Sequence, residues 1–231
     1  MKPSRRRLPS IRGRARAAGA ASILMAVSAL AGCAAPLAPV SWIRLPVDPT
    51  GQSSPSPSPA PAPAPEAGRS AAPVVGRAAR SQPAWLLRSP VALPGHLDRD
   101  AVLVPQGAAG LRPLDGLRWA EPLRDAVPRL LRRDLERRLD AEVWMAPVPP
   151  GAGFGRQLAV ELLAFDVLPE RRGVAVRARW TLADPGGGLP PRVFEDGFVT
   201  LAEAPDPDGL ALAHRLALWR LAGRIADSAR R

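Results

Sequence analysis

The sequence predicts an α/β fold: a single sandwich domain with a mixed, largely antiparallel sheet packed by two main helices. Three long extended segments between residues 158 and 201 are separated by short turn-rich stretches, the signature of an antiparallel meander. Two helical patterns, one before this meander and one after it, each carry an apolar stripe that a sheet would cover. Roughly 150 residues remain once the N-terminal leader and a Pro-rich segment are set aside, enough for one core and too few for two.

The first sixteen residues carry Lys2, Arg5, Arg6, Arg7, Arg12, Arg14 and Arg16 and no acid, and an apolar run from Ala17 to Leu30 follows. That run is shorter than the ~20 residues a membrane-crossing helix needs. With Leu30-Ala31-Gly32 ending directly at Cys33, residues 1–32 read as an export signal and Cys33 as the lipidated first residue of the mature chain. Ala34 stands where an Asp would often retain a lipoprotein in the inner membrane, so the expected location is the outer membrane, facing the periplasm.

Residues 33–47 then hold the lipidated N-terminus and a first strand built on Trp42, Ile43 and Leu45. Residues 48–84 are Pro, Ala, Ser and Gly with hardly a large apolar side chain, including an unbroken Ser-Pro and Ala-Pro alternation from Ser54 to Pro65. Such a stretch buries too little to offset its ordering entropy and is expected to be extended and disordered. If Trp42 to Pro46 docks on the fold, residues 48–84 are a loop; if not, residues 34–84 are one tether. Docking is expected, because undocked apolar side chains would forfeit their burial.

The folded domain is expected over residues 85–231. Trp85 to Leu93 and Ala101 to Val104 read as strands around a Pro94-Gly95 turn, and Leu111 to Leu114 as a short extended piece. The first helix is expected from Glu121 to Leu139, with Leu123, Val127, Leu130, Leu131, Leu135 and Leu139 on one face and a solvated basic-acidic face from Arg132 to Arg138. Pro128 conflicts with this pattern and predicts a kink or a later start. Glu142 to Met145 reads as a strand. Leu158 to Leu168, Val174 to Leu182 and Val193 to Leu201 form the meander; in its middle strand Val174, Val176, Ala178, Trp180 and Leu182 face the core. The closing helix, from Pro207 or Asp208 to Ala229, places Leu210, Ala213, Leu216, Ala217, Leu221 and Ile225 on a stripe. Trp119 and Trp180 are expected in the core.

Composition narrows the chemistry. The formal charge of +11 includes the seven basic residues of the signal; without them 25 basic side chains face 21 acidic ones, and the residual +4 is mixed along the chain. Nucleic acid is rejected as a partner. A single cysteine excludes an intramolecular disulfide. With two histidines and no tyrosine, acid, base and nucleophile chemistry is nearly missing. His96 in a turn and His214 beside Arg215 read as surface or edge-of-core residues, and neither has a second metal ligand at useful spacing. Gly151-Ala152-Gly153-Phe154-Gly155 has the wrong spacing and context for a dinucleotide loop. Glu195 and Asp196 point to opposite faces of a strand and cannot share a substrate. No cofactor, metal or catalytic residue is assigned.

Three segments carry a resemblance. Ser89-Pro90-Val91-Ala92-Leu93-Pro94-Gly95-His96-Leu97-Asp98-Arg99 is similar to the V-x-L-P-x-Y-L-D-R stretch of the ABC-type transport auxiliary lipoproteins, the PqiC/YmbA-like family, with His96 where Tyr is usual. Arg118-Trp119-Ala120-Glu121-Pro122-Leu123 resembles that family's R-W-A-E-P-L, and Trp42-Ile43-Arg44-Leu45-Pro46 resembles its Y-Y-x-L-P. The motif residues Leu93, Pro94, Leu97, Asp98, Arg99, Arg118, Trp119, Glu121, Pro122 and Leu123 are expected to be structural. The resemblance implies a lipid-tethered, non-enzymatic accessory protein of an envelope lipid-transport system. Its partners would be a substrate-binding protein with an MCE domain and a permease with its ATPase, besides the membrane itself, and self-association into a homo-oligomer is compatible with this. Two other readings compete: a hydrolase of envelope lipids using Ser89, Ser81 or Ser41 near His96, and a purely structural envelope lipoprotein.

Overall fold

The computed structural model describes residues 39–50 and 83–231. The export signal, Cys33, Ala34, Ser81 and residues 51–82 of the Pro-rich segment lie outside the described residues. The elements are β1 (Ser41–Ile43), β2 (Trp85–Leu87), β3 (Ala101–Gln106), β4 (Gly110–Trp119), α1 (Leu123–Leu139), β5 (Val143–Met145), β6 (Arg156–Val167), β7 (Gly173–Ala183), β8 (Arg192–Leu201) and α2 (Pro207–Arg230), with short 3-10 turns at Gly95–Leu97 and Pro169–Arg171. The strands form two sheets, ordered β1-β4-β3 and β5-β2-β6-β7-β8. The fold is α/β, with antiparallel and parallel pairings mixed in both sheets.

The meander is the centre of the larger sheet. β6, β7 and β8 pair antiparallel in sequence order, with Val160 opposite Trp180 and Trp180 opposite Phe194. Along β7 the core side chains alternate as expected: Val174, Val176, Ala178, Trp180 and Leu182 are buried. β6 does not keep one parity. Leu158, Val160 and Leu162 are buried before a register shift between Leu162 and Ala164, and Phe165 and Val167 after it. One extra residue flips the inward set from even to odd positions, as a bulge does. At the β6–β7 turn Gly173 allows the close approach of β8, because a Cβ there would stand 2.2 Å from the Thr200 carbonyl oxygen.

Three sequence expectations need correction. The strand expected from Trp85 to Leu93 is paired only at Trp85–Leu87 and in an isolated bridge from Ala92 to Glu161, since Pro90 has no N–H for a ladder. The short piece at Leu111 to Leu114 is part of a ten-residue strand, β4, whose Pro113, Asp115 and Gly116 disguise it as a loop. α1 begins at Leu123 and runs through Pro128; Pro122 directly precedes it. Pro128 lies early in the helix, where it removes one hydrogen bond.

Helix α2 is capped by Asp206, whose carboxylate accepts from the Gly209 N–H at 2.7 Å, and Pro207 occupies its first turn. Its buried face is wider than the predicted stripe. Ala211, Leu218, Ala222 and Ala226 join it, and Leu216 is only half-buried. These small residues let α2 pack on α1, β7 and β8 at once.

Candidate functional site

The family-motif residues converge on one joint, where β4 hands over to α1 beside β1. Trp119 is buried, and its backbone N–H donates to the Asp100 carbonyl at 2.6 Å; the next N–H, of Ala120, donates to Ile43 at 2.7 Å. Asp98 and Asp100 act as side-chain partners on this joint: Arg124 donates to Asp98 at 2.6 Å and Arg118 to Asp100 at 3.3 Å. Leu97 and Leu123 are buried, Leu93 and Pro94 half-buried, and Pro94 precedes the 3-10 turn. Glu121 pairs with Arg129 on the helix surface, while Pro122 and Arg99 are exposed. The exposed pairs contribute little to stability. The buried anchors Leu97, Trp119 and Leu123 carry the joint.

Strand β1 docks on this joint in parallel with β4, with Ser41, Trp42 and Ile43 opposite Leu117, Arg118 and Trp119. Ile43 and Leu45 are buried at 6% and 7% exposure, whereas Trp42 is 60% exposed. The burial expected for Trp42 therefore fails: apolar residues occupy both faces of the strand, and alternation alone does not say which face turns inward. Beyond β1 the chain is held by Arg215 of α2. Its Nε and Nη2 donate to the Val47 carbonyl at 3.2 and 3.0 Å, and Nη1 and Nη2 donate to both carboxylate oxygens of Asp134, each at 2.6 Å. Both side chains of this pair are fully buried. Burial pushes the Asp134 carboxyl above its ordinary value against the pull of Arg215. Asp134 thus leaves the solvated face assigned to it, because a carboxylate one turn from a basic run can serve a buried arginine on another helix.

His214 is also interior, at 1% exposure. Its ring meets Trp119 and Phe165 edge-on, with centroids 5.1 and 4.9 Å away, and Nδ1–H donates to the Leu210 carbonyl at 2.8 Å. Desolvation drives the imidazole down to about 4 from 6.5, although the Leu210 bond and Asp166 oppose the shift. Between those two values the unfolded chain holds a proton that the folded chain excludes. Stability is therefore expected to fall as pH drops from 6.5 towards 4, by up to about 3 kcal/mol at ~1.4 kcal/mol per unit. Urea unfolding at pH 7 and pH 4.5 checks this: His214→Gln should show a smaller loss than the natural chain, and equal losses would exclude His214 as the cause.

The remaining histidine is half-buried. His96 Nε2 lies 2.6 Å from Asp166 Oδ1, which fastens the 3-10 turn to β6 across 70 residues of sequence. A histidine-carboxylate pair is two-thirds of a nucleophilic triad. Among the described residues no serine or threonine hydroxyl hydrogen-bonds His96, and no group of three or more His, Cys, Asp or Glu side chains could hold a metal ion. An open cleft of about 370 Å³ lies elsewhere, between Val104, Arg112, Leu114 and the Pro169–Arg171 turn. No described helix is long and apolar enough to cross a membrane.

Comparison with known proteins agrees with this architecture. The crystal structure of an uncharacterised protein superposes with a TM-score of 0.52 at 19% identity, covering 64% of this chain and 92% of its own. That of a protein from Xanthomonas campestris gives 0.51 at 17% identity, covering 65% and 85%. Likeness at this level shows a common fold. No curated protein matches. Residues 69–226, which include the motif segments 89–99 and 118–123, match the family described as ABC-type transport auxiliary lipoprotein component. The chain belongs to the family of ABC-type transport auxiliary lipoproteins.

Proposed function

We propose that this protein is a non-enzymatic accessory of an envelope lipid-transport system, anchored in the outer membrane by acyl chains on Cys33 and facing the periplasm. The observation that carries the reading is the family match over residues 69–226, to which the Leu30-Ala31-Gly32-Cys33 signal adds an anchor. The partners proposed are an MCE-domain substrate-binding protein and the permease of an ABC transporter, reached through protein contacts. Affinity purification of the lipidated protein tests this: both partners should co-purify, and their absence from cross-linked membranes that contain them would reject the assignment.

The anchor is tested separately. Cys33→Ala should abolish incorporation of a labelled fatty acid and leave the protein unprocessed or released from the membrane. At ~0.8 kcal/mol per buried CH₂, two or more chains give stable attachment where one does not. Equal labelling of both proteins would refute Cys33 as the site.

The His96–Asp166 pair favours one second reading, a hydrolase of envelope lipids. Esterase turnover by the purified protein, abolished in His96→Ala, would establish it in place of the accessory role.

A further inference from the structure

We propose that the outward face of β1, formed by Val40, Trp42 and Arg44, contacts the bilayer surface that holds the Cys33 acyl chains. This rests on the lipid-anchor reading above and adds to it the side of the domain that meets the membrane.

Trp42 of β1 and the residues that flank the strand, Val40 and Arg44, are exposed, whereas Ile43 and Leu45 are buried. Val40 is 51% exposed and Trp42 60%, whereas Trp85, Trp119 and Trp180 are buried and Trp144 and Trp219 half-buried. Trp42 is the one tryptophan that the fold leaves in water. An indole has an apolar body and a polar N–H, and tryptophan concentrates where a bilayer passes from hydrocarbon to headgroup. Charge completes the face. Arg118, opposite Trp42 in register, is shared with Asp100, while exposed Arg44 is in no ion pair among the described residues. A guanidinium without a carboxylate partner suits the phosphates of anionic headgroups.

Chain length selects this occupant over others. Ala34 to Val40 are the seven residues between Cys33 and β1, and seven extended residues reach at most ~25 Å. The approach is fixed by Pro39, whose carbonyl oxygen lies 2.8 Å from where a Cβ at Gly116 would stand; Gly116 has φ +68° and admits it. A domain held this closely meets the bilayer first through the side at which its tether arrives.

The test uses the purified lipidated protein in phosphatidylethanolamine and phosphatidylglycerol vesicles whose acyl chains carry bromine, a short-range quencher of indole emission. Flotation is read first, then fluorescence. The natural protein should float with the vesicles and lose part of its tryptophan emission to bromine. Trp42→Phe should float equally, melt at the same temperature, and show no such loss; Arg44→Glu should float with a reduced loss. Equal quenching of Trp42→Phe, or a natural protein that floats unquenched, overturns the membrane face and leaves the anchor standing. Emission insensitive to bromine but shielded from a water-soluble quencher assigns the face to a contact between copies of this chain and overturns the proposal equally. A natural protein that does not float removes both the face and the anchor.

Discussion

Asp134→Ala is expected to lower the unfolding free energy by roughly 3–5 kcal/mol, because it leaves Arg215 charged and buried with a single backbone carbonyl for company. The geometry makes the loss large. Arg215 and Asp134 are both fully buried and joined by two bonds of 2.6 Å, so a guanidinium left without the carboxylate stays out of water unless the packing around it opens. Removing both charges is a different experiment. In Asp134→Leu with Arg215→Met no ion needs solvation, and stability should return to within ~1–2 kcal/mol of the natural protein. The Val47 carbonyl then loses its donors, so the double variant should release the segment after β1 while keeping the helix pair. Urea titration of the single and double variants, with proteolysis near Val47, separates the two effects. A single variant as stable as the natural protein would mean that water reaches the pair.

Trp180→Ala should cost a comparable ~3–5 kcal/mol, by the combined loss of transfer energy and the cavity left behind. Trp180 lies at the middle of β7, 4% exposed, with its ring stacked 5.9 Å from that of Phe194 on β8 and its Nε1–H donating to Ser228 Oγ at 2.9 Å. The Ser228 hydroxyl in turn donates a hydrogen bond to the Ile225 carbonyl at 2.7 Å. The substitution therefore removes packing and also strips Ser228 of a donor. Trp180→Phe keeps most of the packing while removing the bond to Ser228, and should cost distinctly less. An Ala variant with an unchanged melting temperature would place the indole outside the core.

The meander and both helices were legible because each rests on local periodicity: alternation along β7, and the 3.6-residue recurrence of leucines along α1. What stayed hidden depends on contacts distant in sequence. Nothing near Asp134 marks it as the partner of Arg215, and nothing near His96 points to Asp166. The bulge in β6 is equally silent, since Leu162, Leu163 and Ala164 offer apolar side chains to either face. β2 was overestimated because its apolar run continues past the point where Pro90 ends the ladder. The motif residues were legible as a group but not as a place. Only the β4 register shows that Trp119, Asp98, Asp100 and Leu123 assemble where β1 docks.

The parallel pairing of β1 with β4, and the bond from Arg215 to Val47 across 168 residues, have a kinetic consequence. In synthesis β1 precedes its partners at residues 117 to 119, and the segment after it, at Val47, is bonded to a side chain in the last helix. The meander closes through turns of a few residues, whereas β1 must wait for nearly the whole chain, and such non-local contacts form slowly. The N-terminal strand is thus expected to be the last element fixed. Pulse-labelled hydrogen exchange during refolding should show late protection of the Ala120 amide, the donor to Ile43, after the amides of β7 are already protected.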